Sequence, residues 1–229
     1  MKKFAVISDV HANLDALEAV LLQTHGLDIL CLGDLVDYGA NPNEVVDLFR
    51  SMGIRTVMGN HDWAAVTGDN SGFNARAAMS SIWTRRHLTK QNLDFIRTLA
   101  PEFRDPFEGP EAYFTHGSPD DRLWEYVDPR THENLFGHYL SKLGVRLIGL
   151  GHTHVPYVWR GEGKTVFNPG SVGQPRDGNP KASFAVITIE GPEASVDLRR
   201  VEYDTQRAAA KILDAGLPAQ HASRLFSGT

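Results

Sequence analysis

Cysteine is nearly absent from this chain: Cys31 stands alone among 229 residues. A lone thiol excludes an intrachain disulfide and argues against a thiolate-rich structural zinc site. It lies within the apolar run Leu27 to Leu32, where a buried, inert thiol is expected. Long hydrophobic stretches are missing too. The apolar run after Met1-Lys2-Lys3 stops at Ser8-Asp9, short of the ~7 to 15 residues of a signal-peptide core. No other window approaches the ~18 apolar residues of a membrane span, so a cytoplasmic protein is expected. Positive charge is not in excess, with 23 Lys and Arg against 28 Asp and Glu and a formal net charge of −5. That balance argues against a broad nucleic-acid or anionic-membrane surface, although it is compatible with a local basic patch. Repeats, low-complexity tracts and linkers are likewise missing. With 41% hydrophobic and 22% charged residues, the chain is expected to form one globular domain over 1–229.

The first third alternates strand and helix patterns. Phe4 to Ile7 reads as a buried strand, and Asn13 as the cap of a helix carrying Leu14, Leu17, Val20 and Leu21. Ile29 to Leu32 is the next strand, Asn43 the expected cap of a helix over Glu44 to Met52, and Ile54 to Met58 the third strand. This βαβαβ order implies parallel strands with ligand groups at their C-terminal ends. From Ala64 to about Leu99 the pattern turns helical and interrupts the strand rhythm, as a cap over the site or as a peripheral layer. Beyond it, Ala112 to Thr115, Arg146 to Leu150, Tyr157 to Trp159, Thr165 to Phe167, Ser183 to Ile189 and Ala194 to Val201 read as strands. A terminal helix over Asp204 to Ala215 ends before Gly216.

Six short motifs carry the chemistry: Asp9-Val-His11, Gly33-Asp34, Gly59-Asn-His-Asp62, Thr115-His116-Gly117, Gly151-His-Thr-His154 and Asn168-Pro-Gly-Ser171. Residues two apart in extended chain share a side, so Asp9 with His11, and His152 with His154, can reach one ion. Gly33 and Gly59 remove side chains where the backbone must come close to the ligands. Taken singly, a Gly-Asp or Thr-His reads more simply as a turn or a core histidine, and Gly151-His-Thr-His154 is evenly balanced between that reading and a ligand pair. Their occurrence in order, mostly at expected strand ends, points to a site with a carboxylate-rich half and a histidine-rich half. Such a donor set suits a pair of Mn, Fe, Zn or Ni ions.

These motifs resemble the signature of the calcineurin-like metallophosphoesterases over residues 4 to 172. The resemblance implies a four-layer α/β/β/α sandwich of two mixed sheets flanked by helices. It implies one ion on Asp9, His11, Asp34 and His154, and another on Asp34, Asn60, His116 and His152, with Asp34 as the bridge. Manganese is favoured, and the implied activity is hydrolysis of phosphodiester or phosphoanhydride bonds by a metal-bridging hydroxide. By the same resemblance His61 stabilises or protonates the leaving oxygen and Asp62 orients its imidazole.

Some branches of the family carry a phosphate-clamping Arg where this chain has Tyr38, so Asn13 and Arg176 become the candidate substrate contacts. The run Asp9 to Asn13, the stretch Asn168 to Arg176 and the terminal Ala-Gly-Leu-Pro look like a bacterial and archaeal subgroup that includes phosphodiesterases. The expected partner is a small phosphate-ester or nucleotide substrate. A dinucleoside-polyphosphate hydrolase and a phosphomonoesterase remain alternatives. A protein-binding scaffold on the same fold and a metal store are the non-enzymatic ones.

Overall fold

A computed structural model describes residues 2–104, 111–191 and 193–229 of the chain. β1 (Lys2–Ile7), α1 (Leu14–Gln23), β2 (Asp28–Cys31), α2 (Pro42–Met52) and β3 (Arg55–Thr56) alternate as expected, and their strands pair in parallel. Three helices follow, α3 (Asn60–Thr67), α4 (Ala75–His87) and α5 (Lys90–Ile96). The second half holds β4 (Glu102–Arg104), β5 (Ala112–Thr115), α6 (Pro129–Leu143), β6 (Leu147–Gly149), β7 (Tyr157–Gly161) and β8 (Lys164–Asn168). The chain then returns to the first sheet through β9 (Ala182–Glu190) and β10 (Glu193–Val201), and ends in α7 (Thr205–Asp214) and α8 (Ala219–Ser227).

Two five-stranded sheets result, ordered β10-β9-β1-β2-β3 and β4-β5-β6-β8-β7. In the first, β1, β2 and β3 form a parallel side and β9 and β10 add antiparallel strands on the other; in the second, a parallel centre of β5, β6 and β8 is flanked by antiparallel β4 and β7. Side chains alternate across each strand and thereby sort into separate layers. Phe4 and Val6 of β1, with Ala185 and Ile187 of β9, face Phe114 and Phe167 of the second sheet. Ile7, Phe184 and Val186 turn to the opposite side, against Leu17 and Val20 of α1 and Val46 and Phe49 of α2. Tyr113, Ile148 and Val166 form the outer face of the second sheet and pack on Phe136, Tyr139 and Leu140 of α6. These faces stack helix, sheet, sheet and helix, the four-layer α/β/β/α sandwich expected. Cys31 is fully buried on the α1 and α2 side of the first sheet, with Ile7 and Val186.

Several local expectations need correction. α2 begins at Pro42 with Asn41 at its cap, because proline's missing N–H costs nothing in the first turn. Asn43 instead ties α2 to the α4–α5 junction, donating to the His87 carbonyl and accepting from Thr89 N–H. The third strand shrinks to Arg55–Thr56, and Val57 reaches only a bridge to Ala100. α6 had no counterpart in the sequence reading. Among the described residues, no helix is long and apolar enough to cross a membrane.

Candidate metal centre

The motif residues lie where the strands end. Asp9, His11 and Asn13 follow β1, Asp34 follows β2, His116 follows β5, and His152 and His154 follow β6. Asn60, His61 and Asp62 begin α3. All are at most 5% exposed.

Each imidazole of the metal set has one nitrogen held by a backbone carbonyl. His11 Nδ1 lies 3.0 Å from Val36 O, His116 Nδ1 2.7 Å from Leu32 O, and His154 Nδ1 2.6 Å from Gln174 O. His152 uses Nε2, 3.2 Å from Trp124 O. A carbonyl can only accept, so those nitrogens carry the proton and the opposite ones present lone pairs. The lone-pair nitrogens converge: His11 Nε2 is 3.1 Å from His154 Nε2, and His116 Nε2 is 3.2 Å from His152 Nδ1. Two acceptors at such distances repel unless something positive lies between them.

The carboxylates follow the same division of labour. Asp34 Oδ1 accepts from His61 N–H at 2.9 Å, and Asp9 Oδ2 from His152 N–H at 3.2 Å. Asp34 Oδ2 and Asp9 Oδ1 are buried without a hydrogen-bond partner. Asp34 Oδ2 sits 3.3 Å from His116 Nε2 and 3.7 Å from His11 Nε2, while Asp9 Oδ1 is 3.2 Å from His154 Nε2. Asn60 adds its amide oxygen 3.1 Å from His116 Nε2. Potential ligand atoms therefore fall into groups, Asp9-His11-His154 and Asp34-His116-His152, with Asp34 also grouped with His11 and His61. Orphaned carboxylate oxygens facing imidazole lone pairs are the donor set that divalent cations take. The seven residues of the expected metal set thus meet at one place.

Electrostatics supports the same reading. Burial, then the charge of a neighbouring imidazole, keeps His11 well below its usual pKa, and the same causes take His152 down to about 3. Burial and the Arg176 charge lower His154. His116 differs: burial lowers it, but the Asp34 charge outweighs burial and lifts it to about 9, so without a cation its Nε2 holds a proton toward Asp34 that a bound metal ion would replace. Burial opposes ionisation of Asp9 and Asp34, yet His154 for Asp9 and His116 for Asp34 hold both carboxyls below the usual range. The cluster calls for positive charge at its centre.

Strained backbone shapes the cradle. Asp9, His11, Ala12, Asp34, Asp37, Tyr38, His152 and His154 all have left-handed φ angles, between 49° and 71°. Each costs on the order of 1 kcal/mol outside glycine, so such a concentration marks a built site. Backbone bonds hold the loops in this shape: His11 N–H donates to Asp34 O, Ala12 N–H to Leu35 O, Gly39 N–H to His11 O and Gly173 N–H to Asp9 O. Gly59 is required, since a Cβ there would lie 2.1 Å from Asp34 Oδ1.

Two expected roles change. Asp62 does not touch the His61 ring; its carboxylate accepts N–H bonds from Asp34 at 2.8 Å, Leu35 at 2.9 Å and Gly59 at 3.1 Å. The His61 partner is Asp37, whose Oδ2 lies 2.7 Å from Nδ1. Asn13 is committed to the scaffold rather than turned to a substrate: Oδ1 caps Ala16 N–H, and Nδ2 donates to Gly173 O at 2.9 Å. Arg176 does stand at the site, its guanidinium 5.9 Å from the centre of the Tyr38 ring. Asn168 and Ser171 brace the cradle, Asn168 Nδ2 donating to Gly151 O and Ser171 Oγ to Asp9 O. Phe73 stacks on His61 with ring centres 4.3 Å apart, which places part of the helical insertion against the site.

Burial and the like charge of Asp34 push Asp62 up to about 7, while its three N–H donors favour the anion. Asp62→Asn turns an amide group against one of those donors. An unfolding free energy lower by about 2–3 kcal/mol is expected, measured by urea denaturation of the chelator-treated protein. An unchanged midpoint and slope would show that the backbone does not depend on this carboxylate.

Comparison with known proteins agrees with the geometry. The chain is 37% identical over 244 residues to an uncharacterized protein of Methanocaldococcus jannaschii, covering 98% of this chain and 97% of that one. It superposes on the crystal structure of a metallophosphoesterase from Sphaerobacter thermophilus with TM-score 0.84 at 35% identity, covering 100% of this chain and 99% of that one. A hypothetical protein from Pyrococcus horikoshii, at 20% identity and TM-score 0.90 over 100% of this chain and 99% of that one, shares the fold. The calcineurin-like phosphoesterase superfamily domain matches residues 2–191, so this chain belongs to that superfamily.

Proposed function

We propose that the protein is a dinuclear-metal phosphoesterase hydrolysing phosphodiester or phosphoanhydride bonds of a small substrate in the cytoplasm. The observation that carries this reading is the pair of orphaned carboxylate oxygens set against four imidazole lone pairs. Asp9, His11, Asp34 and His154 would hold one ion, and Asp34, Asn60, His116 and His152 the other, with Mn favoured over Fe, Zn and Ni. Two divalent ions supply Lewis acidity to phosphoryl oxygens and bring the pKa of a nearby water toward neutrality.

The chain's own residues do the rest. Asp37 fixes His61 Nδ1 as the protonated nitrogen, so the imidazolium presents its second proton at Nε2 for a leaving oxygen. Arg176 reaches the rim of the site as a phosphate contact. The helical segment 64–99 closes one side as a cap, through Phe73 on His61. A scaffold role would not require His61 to be aligned by a buried acid.

Chelator treatment should abolish hydrolysis of bis-p-nitrophenyl phosphate, and added Mn²⁺ should restore it. A panel of p-nitrophenyl phosphate, cyclic nucleotides and diadenosine tetraphosphate then ranks the phosphomonoesterase and dinucleoside-polyphosphate alternatives by kcat/KM. A metal-replete protein that turns over none of them would sink the reading.

A further inference from the structure

Beside the metal centre lies a cavity of about 480 Å³ walled by Tyr38, Arg76, Tyr126, Arg176, His221 and Arg224. Its Tyr38 and Tyr126 walls pack against histidines of that centre. Tyr38 lies with its ring centre 4.5 Å from that of His11 and 4.6 Å from that of His61, and Tyr126 stacks on His152 at 3.9 Å. Among the described residues, no acidic side chain lines the cavity. Several other arginines are held by protein acceptors, Arg122 by Glu102, Arg200 by Asp177 and Arg207 by Asp15 as ion pairs, and Arg85, Arg146 and Arg160 by backbone carbonyls. Among the described residues, Arg76, Arg176 and Arg224 have no carboxylate partner. Arg176 Nε is moreover buried without a hydrogen-bond partner. Burial and then the charges of Arg176 and Arg76 lower the pKa of Arg224, so the guanidinium groups repel one another where they stand.

Like charges gathered beside a metal centre, without counter-ions, await an anion. Two of these walls, His221 and Arg224, come from α8, beyond the matched superfamily domain at residues 2–191. His221 packs on Tyr38 with ring centres 4.7 Å apart and thereby fixes α8 at the site. We infer that Arg76, Arg176 and Arg224 seat a second phosphate group of the substrate, so that the scissile bond is a phosphoanhydride or lies next to another phosphate. The inference rests on the phosphoesterase reading for the first phosphate. A simple diester, with Arg176 on its one phosphate, would leave Arg76 and Arg224 unanswered. A nucleoside polyphosphate or similar polyphosphorylated compound would engage them through forked, charge-assisted hydrogen bonds. Hydrolysis then forms one P–O bond from the water oxygen as it breaks one P–O bond of the substrate, with one water proton going to the leaving oxygen and the other to solvent, and both products are anionic.

The test uses the metal-replete protein and two non-hydrolysable probes, methylphosphonate and methylenediphosphonate, in calorimetry after dialysis into a common metal-containing buffer. The wild type should prefer the diphosphonate by at least ~10-fold, as a hydrogen bond to a charged group allows. Arg224→Gln and the exposed Arg76→Gln should each cut that preference by roughly fivefold or more. Arg76 keeps the test decisive should Arg224→Gln disturb α8. Equal affinity for the probes, or a preference indifferent to both substitutions, overturns the pocket, and either result would make a bound orthophosphate product the better occupant. A retained preference in a protein that hydrolyses nothing sinks the catalytic reading and leaves the pocket standing.

Discussion

Asp34→Asn is expected to lower kcat by at least ~100-fold and to reduce bound metal below two ions per chain, read by elemental analysis. Asp34 Oδ2 faces His116 Nε2 at 3.3 Å and His11 Nε2 at 3.7 Å, within reach of both groups of potential ligands. Asparagine keeps the shape and one acceptor, which preserves the bond from His61 N–H. It removes the charge, and its amide hydrogens cannot bind a cation. The effect should therefore fall on metal content before it falls on fold. A variant with a full complement of metal and undiminished turnover would show that Asp34 does not join the two groups.

The second large effect concerns proton transfer. His61→Ala should reduce kcat by ~100-fold to 10⁴-fold with metal content preserved, since only the imidazole is lost. Asp37→Asn should act through His61 and cost less, about tenfold, because the ring remains but loses its anionic partner. Burial disfavours the His61 imidazolium, yet the charge of Asp34 and the bond to Asp37 outweigh it, and the pKa rises above the ordinary value. A general acid works while protonated, so the rate falls as pH rises through that pKa. Removing the Asp37 charge lowers the pKa and moves the alkaline limb of the kcat profile to lower pH. Asp37→Asn with an unmoved limb, or His61→Ala with near wild-type kcat, would remove His61 from the chemistry.

Much of this centre could be read from the chain because strands deliver their ends to one edge. Asp9, Asp34, His116 and His152 each follow a run of buried apolar residues, a periodicity visible without a structure. Asp37 could not be found that way. It lies in a turn whose left-handed backbone, φ 71°, aims its carboxylate back at His61, and nothing in the spacing of Gly33-Asp-Leu-Val-Asp37 records that angle. Asp62 misled for the complementary reason. Adjacent to His61 in sequence, it points instead at the β2 loop, because the start of a helix sends successive side chains in different directions. Asn13 is a cap before it is anything else, and its position ahead of Leu14 was signal enough for that. α6 carries its own start and stop marks, Asp128 before Pro129 and Gly144 after Leu143, and so was open to discovery from sequence. The contact between His221 and Tyr38 joins distant parts of the chain, which local patterns do not encode.

The bonds that run from His11 to Asp34, from Ala12 to Leu35 and from Gly173 to Asp9 make the three loops one mechanical part. Asp9, His11 and Asp34 are thereby held to one another. A substitution that relaxes one twisted residue should misplace Asp9, His11 and Asp34 together, so harmful changes here need not touch a candidate coordinating atom. Tolerance to mutation in this protein would then be lowest along the loop backbones, and the outer faces of the helices would be where its sequence is free to drift.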